Sequence, residues 1–118
     1  MDRTKALDEQ VRTNLAQVNA APQFAGNRLW LTFYLSGSPE NLQQVSQALA
    51  ESGWLNVDGC EGGFLYPKVQ TDKTETAIVD VALAAQDLCG AHGVEILNID
   101  ADTSCDVQRS EFVTLYQS

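Results

Sequence analysis

Leu7, Val11, Leu15 and Val18 recur at three- and four-residue spacing. That is one stripe of a helix with 3.6 residues per turn, and it predicts an amphipathic helix over residues 2–19. Proline and glycine in Ala20-Ala21-Pro22-Gln23-Phe24-Ala25-Gly26-Asn27 then break the pattern. From Leu29 the period changes to two. Leu29, Leu31, Phe33 and Leu35 alternate with Trp30, Thr32 and Tyr34. Bulk on both faces predicts an inner strand with one face on helices. Ser38, Pro39 and Glu40 supply a cap, a first-turn proline and an acid at the positive end of a second helix. Leu42, Val45 and Leu49 are its buried stripe, and Gly53 suits its stop.

Residues 54–57 predict a short strand, residues 58–63 a glycine-rich turn, and residues 64–69 the returning strand of a hairpin. Asp72 and Glu75 have capping-box spacing for a helix that runs to about Ala91, with Ile78, Val81, Ala85 and Leu88 facing in and Gly93 at its end. Residues 94–99 predict the last strand of this series. Phe112 to Tyr116 reads as an edge strand or a helical turn. Strand, helix, strand, strand, helix, strand is the order of a ferredoxin-like βαββαβ sandwich, an α+β fold with an antiparallel sheet and helices on one face. The N-terminal helix is an addition to it. The chain reads as one domain, with a helix and linker over residues 1–27, the core over 28–100 and a tail over 101–118. Leu31, Phe33, Leu42, Val45, Leu49, Ile78, Val81, Leu88 and Ile96 are the expected core.

Charge adds the first functional constraint. Seven basic and 16 acidic residues give a net charge of −9. No Lys or Arg occurs from Leu29 to Pro67, nor from Thr74 to Gln108. Such a surface repels phosphate backbones, which argues against direct nucleic-acid binding. It attracts a protein partner with a basic surface and speeds the encounter. No apolar run approaches the roughly 20 residues that span a bilayer, and no signal core follows the charged start, so a cytoplasmic protein without membrane contact is expected.

Candidate chemistry is sparse. Cys60, Cys89 and Cys105 form no CxxC pair, and His92 is the lone histidine, placed at a helix end. Gly59, Gly62 and Gly63 lack the Lys-Ser/Thr ending and following helix of a phosphate loop. Asp100, Asp102, Ser104 and Glu111 fall at the first, third, fifth and twelfth positions of an EF-hand calcium loop. Cys105 stands where that loop needs glycine, and a strand rather than a helix leads in. An acidic loop that binds no calcium is expected. Nothing in the pattern calls for catalysis or a cofactor. Aromatic residues on the strands are the better candidates for function. Trp30, Tyr34 and Trp54 are candidate anchors for a protein partner, with Glu40, Glu51, Asp58 and Glu61 as an acidic rim.

The stretch from about Val11 to Ile99 resembles the RraB-like family, relatives of regulator of ribonuclease E activity B. The likeness lies in the helical lead-in, in Leu29-Trp30-Leu31-Thr32-Phe33-Tyr34-Leu35 as an aromatic first strand, and in the acidic helix closing in Gly53-Trp54. Asn98-Ile99-Asp100-Ala101-Asp102 stands where that family ends its last strand in an Asp-Gly-Trp-like motif. The resemblance implies a small acidic regulator that inhibits a ribonuclease by binding it, without catalysis. An immunity protein that neutralises a toxin and a small-molecule-binding sensor domain are the alternatives.

Overall fold

Along residues 28–36 burial alternates with the side-chain pattern except at Thr32, which is buried between Leu31 and Phe33. Leu29, Leu31, Phe33 and Leu35 are shut from water at the centre of the apolar core in a computed structural model that describes residues 3–104 and 111–118. Burying each such side chain favours folding by roughly 1.5–3 kcal/mol. Among the described residues the chain forms three α-helices and a five-stranded antiparallel sheet. In chain order these are α1 (Arg3–Ala20), β1 (Arg28–Ser36), α2 (Pro39–Glu51), β2 (Phe64–Leu65), β3 (Lys68–Asp72), α3 (Glu75–Ala91), β4 (Glu95–Asp102) and β5 (Phe112–Gln117).

Strand β1 is central. It pairs with β2 and β3 on one side and β4 on the other, and β5 lies outside β4. Strands β2 and β3 keep a single register against β1, with Leu35 opposite Leu65 and Thr32 opposite Lys68. They are separated at Tyr66 and Pro67, because proline has no N–H for the ladder. The Pro67 carbonyl still accepts from the Phe33 N–H at 3.0 Å.

The helices pack on the Leu29, Leu31, Phe33 and Leu35 face of the sheet. The α1 stripe of Leu7, Val11, Leu15 and Val18 is buried, as is the α2 stripe of Leu42, Val45 and Leu49. Ser38 caps α2 by accepting from the Asn41 N–H at 3.3 Å. Gly53 ends that helix with φ of 85°, a conformation that disfavours any residue with a Cβ. Helix α1 also guards the sheet's edge. Gln10 accepts from the Gln117 N–H at 3.1 Å and donates to the Gln117 carbonyl at 3.2 Å, and Asn14 donates to the Leu115 carbonyl at 2.9 Å.

Several expectations need correction. The strand over residues 54–57 is reduced to one bridge, in which Leu55 and Lys68 exchange N–H to carbonyl bonds of 2.8 Å each. Asn56 ends it, because its φ of 57° turns the backbone out of an extended path. The sheet has five strands rather than four, because the returning strand is divided into β2 and β3 and residues 112–117 pair with β4, while the 54–57 strand is lost. Strand β4 runs to Asp102 rather than stopping at Ile99. Thr74, not Asp72, caps α3: its hydroxyl accepts from the Ala77 N–H at 3.2 Å. Asp72 ends β3 and faces Arg28 at 3.5 Å across the strands. The inward line of α3 is Ile78, Val79, Ala82, Ala85 and Cys89, while Val81 and Leu88 are half-buried at its flanks. Among the described residues no helix is long and apolar enough to cross a membrane.

Candidate binding groove on the sheet

The period of two that buries Leu31 and Phe33 turns Trp30, Thr32 and Tyr34 to the face that the helices leave. Register then decides what meets them. Thr32 lies opposite both Lys68 on β3 and Asp100 on β4, and Trp30 lies opposite Asp102. Asp100 in turn faces Thr114 on β5, and Asp102 faces Phe112.

Two buried carboxylates organise this face. Asp102 accepts from the Thr32 hydroxyl, and the same hydroxyl accepts from Lys68 Nζ at 2.6 Å. Lys68 Nζ stands 3.5 Å from Asp102 Oδ2, which closes a triangle across β3, β1 and β4. Asp100 is held differently. Its Oδ2 accepts from the Tyr34 hydroxyl at 2.8 Å, and its Oδ1 from Asn98 Nδ2 at 2.6 Å and Thr114 Oγ1 at 3.1 Å. All three donors are neutral, and among the described residues no cation pairs with Asp100. Burial, reinforced by the hydrogen bond to Asp100 and by the charges of Asp100 and Asp102, pushes the Tyr34 phenol up to about 12. Tyr34 therefore keeps its proton, and its role as donor, at neutral pH.

Above these groups lies a groove of about 530 Å³, walled by Tyr34, Asn56, Tyr66 and Phe112 with Thr32, Lys68, Asp100 and Asp102 at its base. Tyr34 and Tyr66 meet edge to face, with ring centroids 5.5 Å apart and planes at 84°. Phe112 is 62 % exposed, and Leu55, Phe64 and Tyr66 are each about half exposed. Large apolar side chains grouped at the surface mark interaction sites in soluble proteins.

The structure divides the residues picked from the sequence. Trp30 and Tyr34 lie on this face, both half-buried. Trp54 does not: its ring meets buried Phe33 with centroids 5.2 Å apart, so it packs against the helix-side core. Glu40 and Glu51 sit at the two ends of α2 in the helix layer, and Asp58 lies in the loop after Trp54. Glu61 belongs to the 3₁₀ turn Cys60–Gly62, and its side chain is outside the described residues. Asp100 and Asp102 lie in an extended strand rather than in a loop, each accepting hydrogen bonds from strand neighbours. Ser104 and Glu111 flank residues 105–110, which lie outside the described residues together with Cys105. Among the described residues no three acidic, histidine or cysteine side chains are placed to hold a metal ion. Cys60 is half-buried, and buried Cys89 is pushed up to about 12 by loss of solvent, an inert thiol.

Lys68, Asn98, Phe112 and Thr114 were not legible as site residues. They come from three different strands, and only the sheet register joins them. Comparison with known proteins found no matching family model, no curated relative and no solved structure. The likeness to the RraB-like family rests on the residues quoted for it.

Proposed function

We propose that this chain is a non-catalytic acidic regulator that holds a basic protein partner on the sheet face away from its helices. The observation that carries this reading is the groove itself, walled by half-exposed Tyr66 and exposed Phe112, with half-exposed Phe64 two residues before Tyr66, above a buried carboxylate that pairs with no cation among the described residues. Exposed aromatics in a concave surface supply anchoring contacts, and the net charge of −9 supplies attraction at a distance. The architecture is read as a ferredoxin-like βαββαβ sandwich. The order β4, β1, β3 supports this, with the Leu55 bridge as the remnant of a strand outside β3 and β5 as an added strand. The RraB-like resemblance favours a ribonuclease as the partner, inhibited by being bound. The size of the groove favours a second reading, a small-molecule-binding sensor, since ligand pockets span roughly 300–1,000 Å³.

Capture from the native host's lysate, at low and high salt, tests the first reading. Three baits are compared: the unaltered chain, Phe64→Ser/Tyr66→Ser, and Glu40→Gln/Glu51→Gln. The aromatic pair is expected to abolish capture of the same protein, and the glutamate pair to slow it. Capture lost with the glutamate pair and kept with the aromatic pair would move the interface to the helix layer and overturn the proposal.

A further inference from the structure

We infer that the groove accepts a lysine-type side chain, an ammonium on an alkyl stem, presented by the protein partner; this rests on the proposed function. Lys68 and Asp102 neutralise one another, so Asp100 gives the base of the groove one negative charge. A carboxylate has about four acceptor positions on its two oxygens. Asn98 and Thr114 occupy both positions on Oδ1, and Tyr34 occupies one on Oδ2. One position remains, on Oδ2 beside the Tyr34 hydroxyl.

That geometry discriminates between cations. A guanidinium binds carboxylates best as a two-pronged fork, which uses both oxygens. An ammonium is a point charge that needs a single acceptor. Tyr34 and Tyr66 meet with nearly perpendicular rings in the groove that Asp100 also lines, and Phe112 lines it too. Aromatic faces attract cations and cover alkyl stems.

Blocked amino acids test this directly on the full chain. Nα-acetyl-lysine methylamide is titrated against the norleucine and arginine counterparts, followed by the aromatic NMR signals. The lysine probe is expected to shift Tyr34, Tyr66 and Phe112, and norleucine to leave them in place. Arginine is expected to bind several-fold more weakly than lysine. Tyr66→Ala and Phe112→Ala, both at exposed positions, should each weaken the lysine probe about two- to fivefold. Asp100→Asn should abolish its binding. Equal shifts with norleucine, arginine binding as tight as lysine, or indifference to both ring variants would each overturn the inference. Capture of a protein through Phe64 and Tyr66 with no lysine-probe effect would overturn it while leaving the proposed function standing. Lysine-probe binding with capture indifferent to Phe64→Ser/Tyr66→Ser would instead overturn the proposed function and leave a site for small amines.

Discussion

Lys68 Nζ and Asp102 Oδ2 lie 3.5 Å apart with both side chains more than nine-tenths buried, and Thr32 bonds to each of them. Removing two charges from water costs several kcal/mol each, so such a pair adds little net stability. What it does fix is position: three strands must be in one register for the triangle to close. Breaking it one-sidedly is costly. Lys68→Met leaves a buried, uncompensated carboxylate and should lower unfolding free energy by about 3–5 kcal/mol. Lys68→Met/Asp102→Leu should recover most of that loss. Urea unfolding checks both, and a loss below about 1 kcal/mol in the single variant would contradict the assignment.

Alkaline pH should weaken the fold through Tyr34. Its phenol ionises at about 12 in the native state, against an ordinary value of 10.0. The unfolded chain therefore loses this proton first, and above pH 10 it binds fewer protons than the native state. Stability is full below pH 10 and falls as pH rises toward 12. Cys89, raised from 9.0 to about 12 by burial, acts in the same direction from pH 9 upward. Spectrophotometric titration should resolve one late tyrosinate, absent in Tyr34→Phe. An ordinary titration of Tyr34 would show that its phenol is neither buried nor bonded to Asp100 as described.

The helix starts offer a cleaner comparison. Ser38→Ala and Thr74→Ala each remove a side-chain acceptor from a first-turn N–H, and each should cost about 0.5–2 kcal/mol in thermal or urea unfolding. Asp72→Ala should be near neutral, because its ion pair with Arg28 is exposed at the end of β3. A larger loss for Asp72→Ala than for Thr74→Ala would restore Asp72 as the cap.

Legibility followed how strongly each pattern constrains its phase. The α1 stripe is bordered by polar residues, so one rotation satisfies it, and in β1 the purely apolar set of Leu29, Leu31, Phe33 and Leu35 alternates with residues that carry a polar atom, so one facing satisfies it; both match the structure. Helix α3 is apolar nearly all round, from Ala77, Ile78 and Val79 through Val81 to Ala85, which leaves its rotation open. Contact with both the sheet and α1 selects the line through Ile78, Ala82, Ala85 and Cys89. Asp100 and Asp102 were misplaced for an energetic reason. Aspartate is disfavoured in strands, and here donors from Thr32, Tyr34, Lys68, Asn98 and Thr114 compensate it. All but one of those five lie outside β4, so no local window reveals the network. Asn56 is a similar case, a left-handed residue inside a stretch that reads as strand.

Removing the amides that cover the β5 edge should change association more than folding. Gln10→Ala/Asn14→Ala leaves the buried stripe of α1 intact but uncovers backbone groups at Leu115 and Gln117. Exposed edges invite pairing between chains. Light scattering should show concentration-dependent association in the double variant, at nearly unchanged helical content. A variant that scatters like the parent at every concentration would show that these amides are dispensable.

Those two amides precede the backbone groups they cover by 107 and 101 residues. Gln10 and Asn14 are made long before Leu115 and Gln117, so α1 can be seated on the emerging protein before its last strand leaves the exit tunnel. Strand β5 then arrives at an edge whose cover is already waiting. Protection of that edge from a nascent neighbour would then come from the direction of synthesis rather than from the depth of the native energy well.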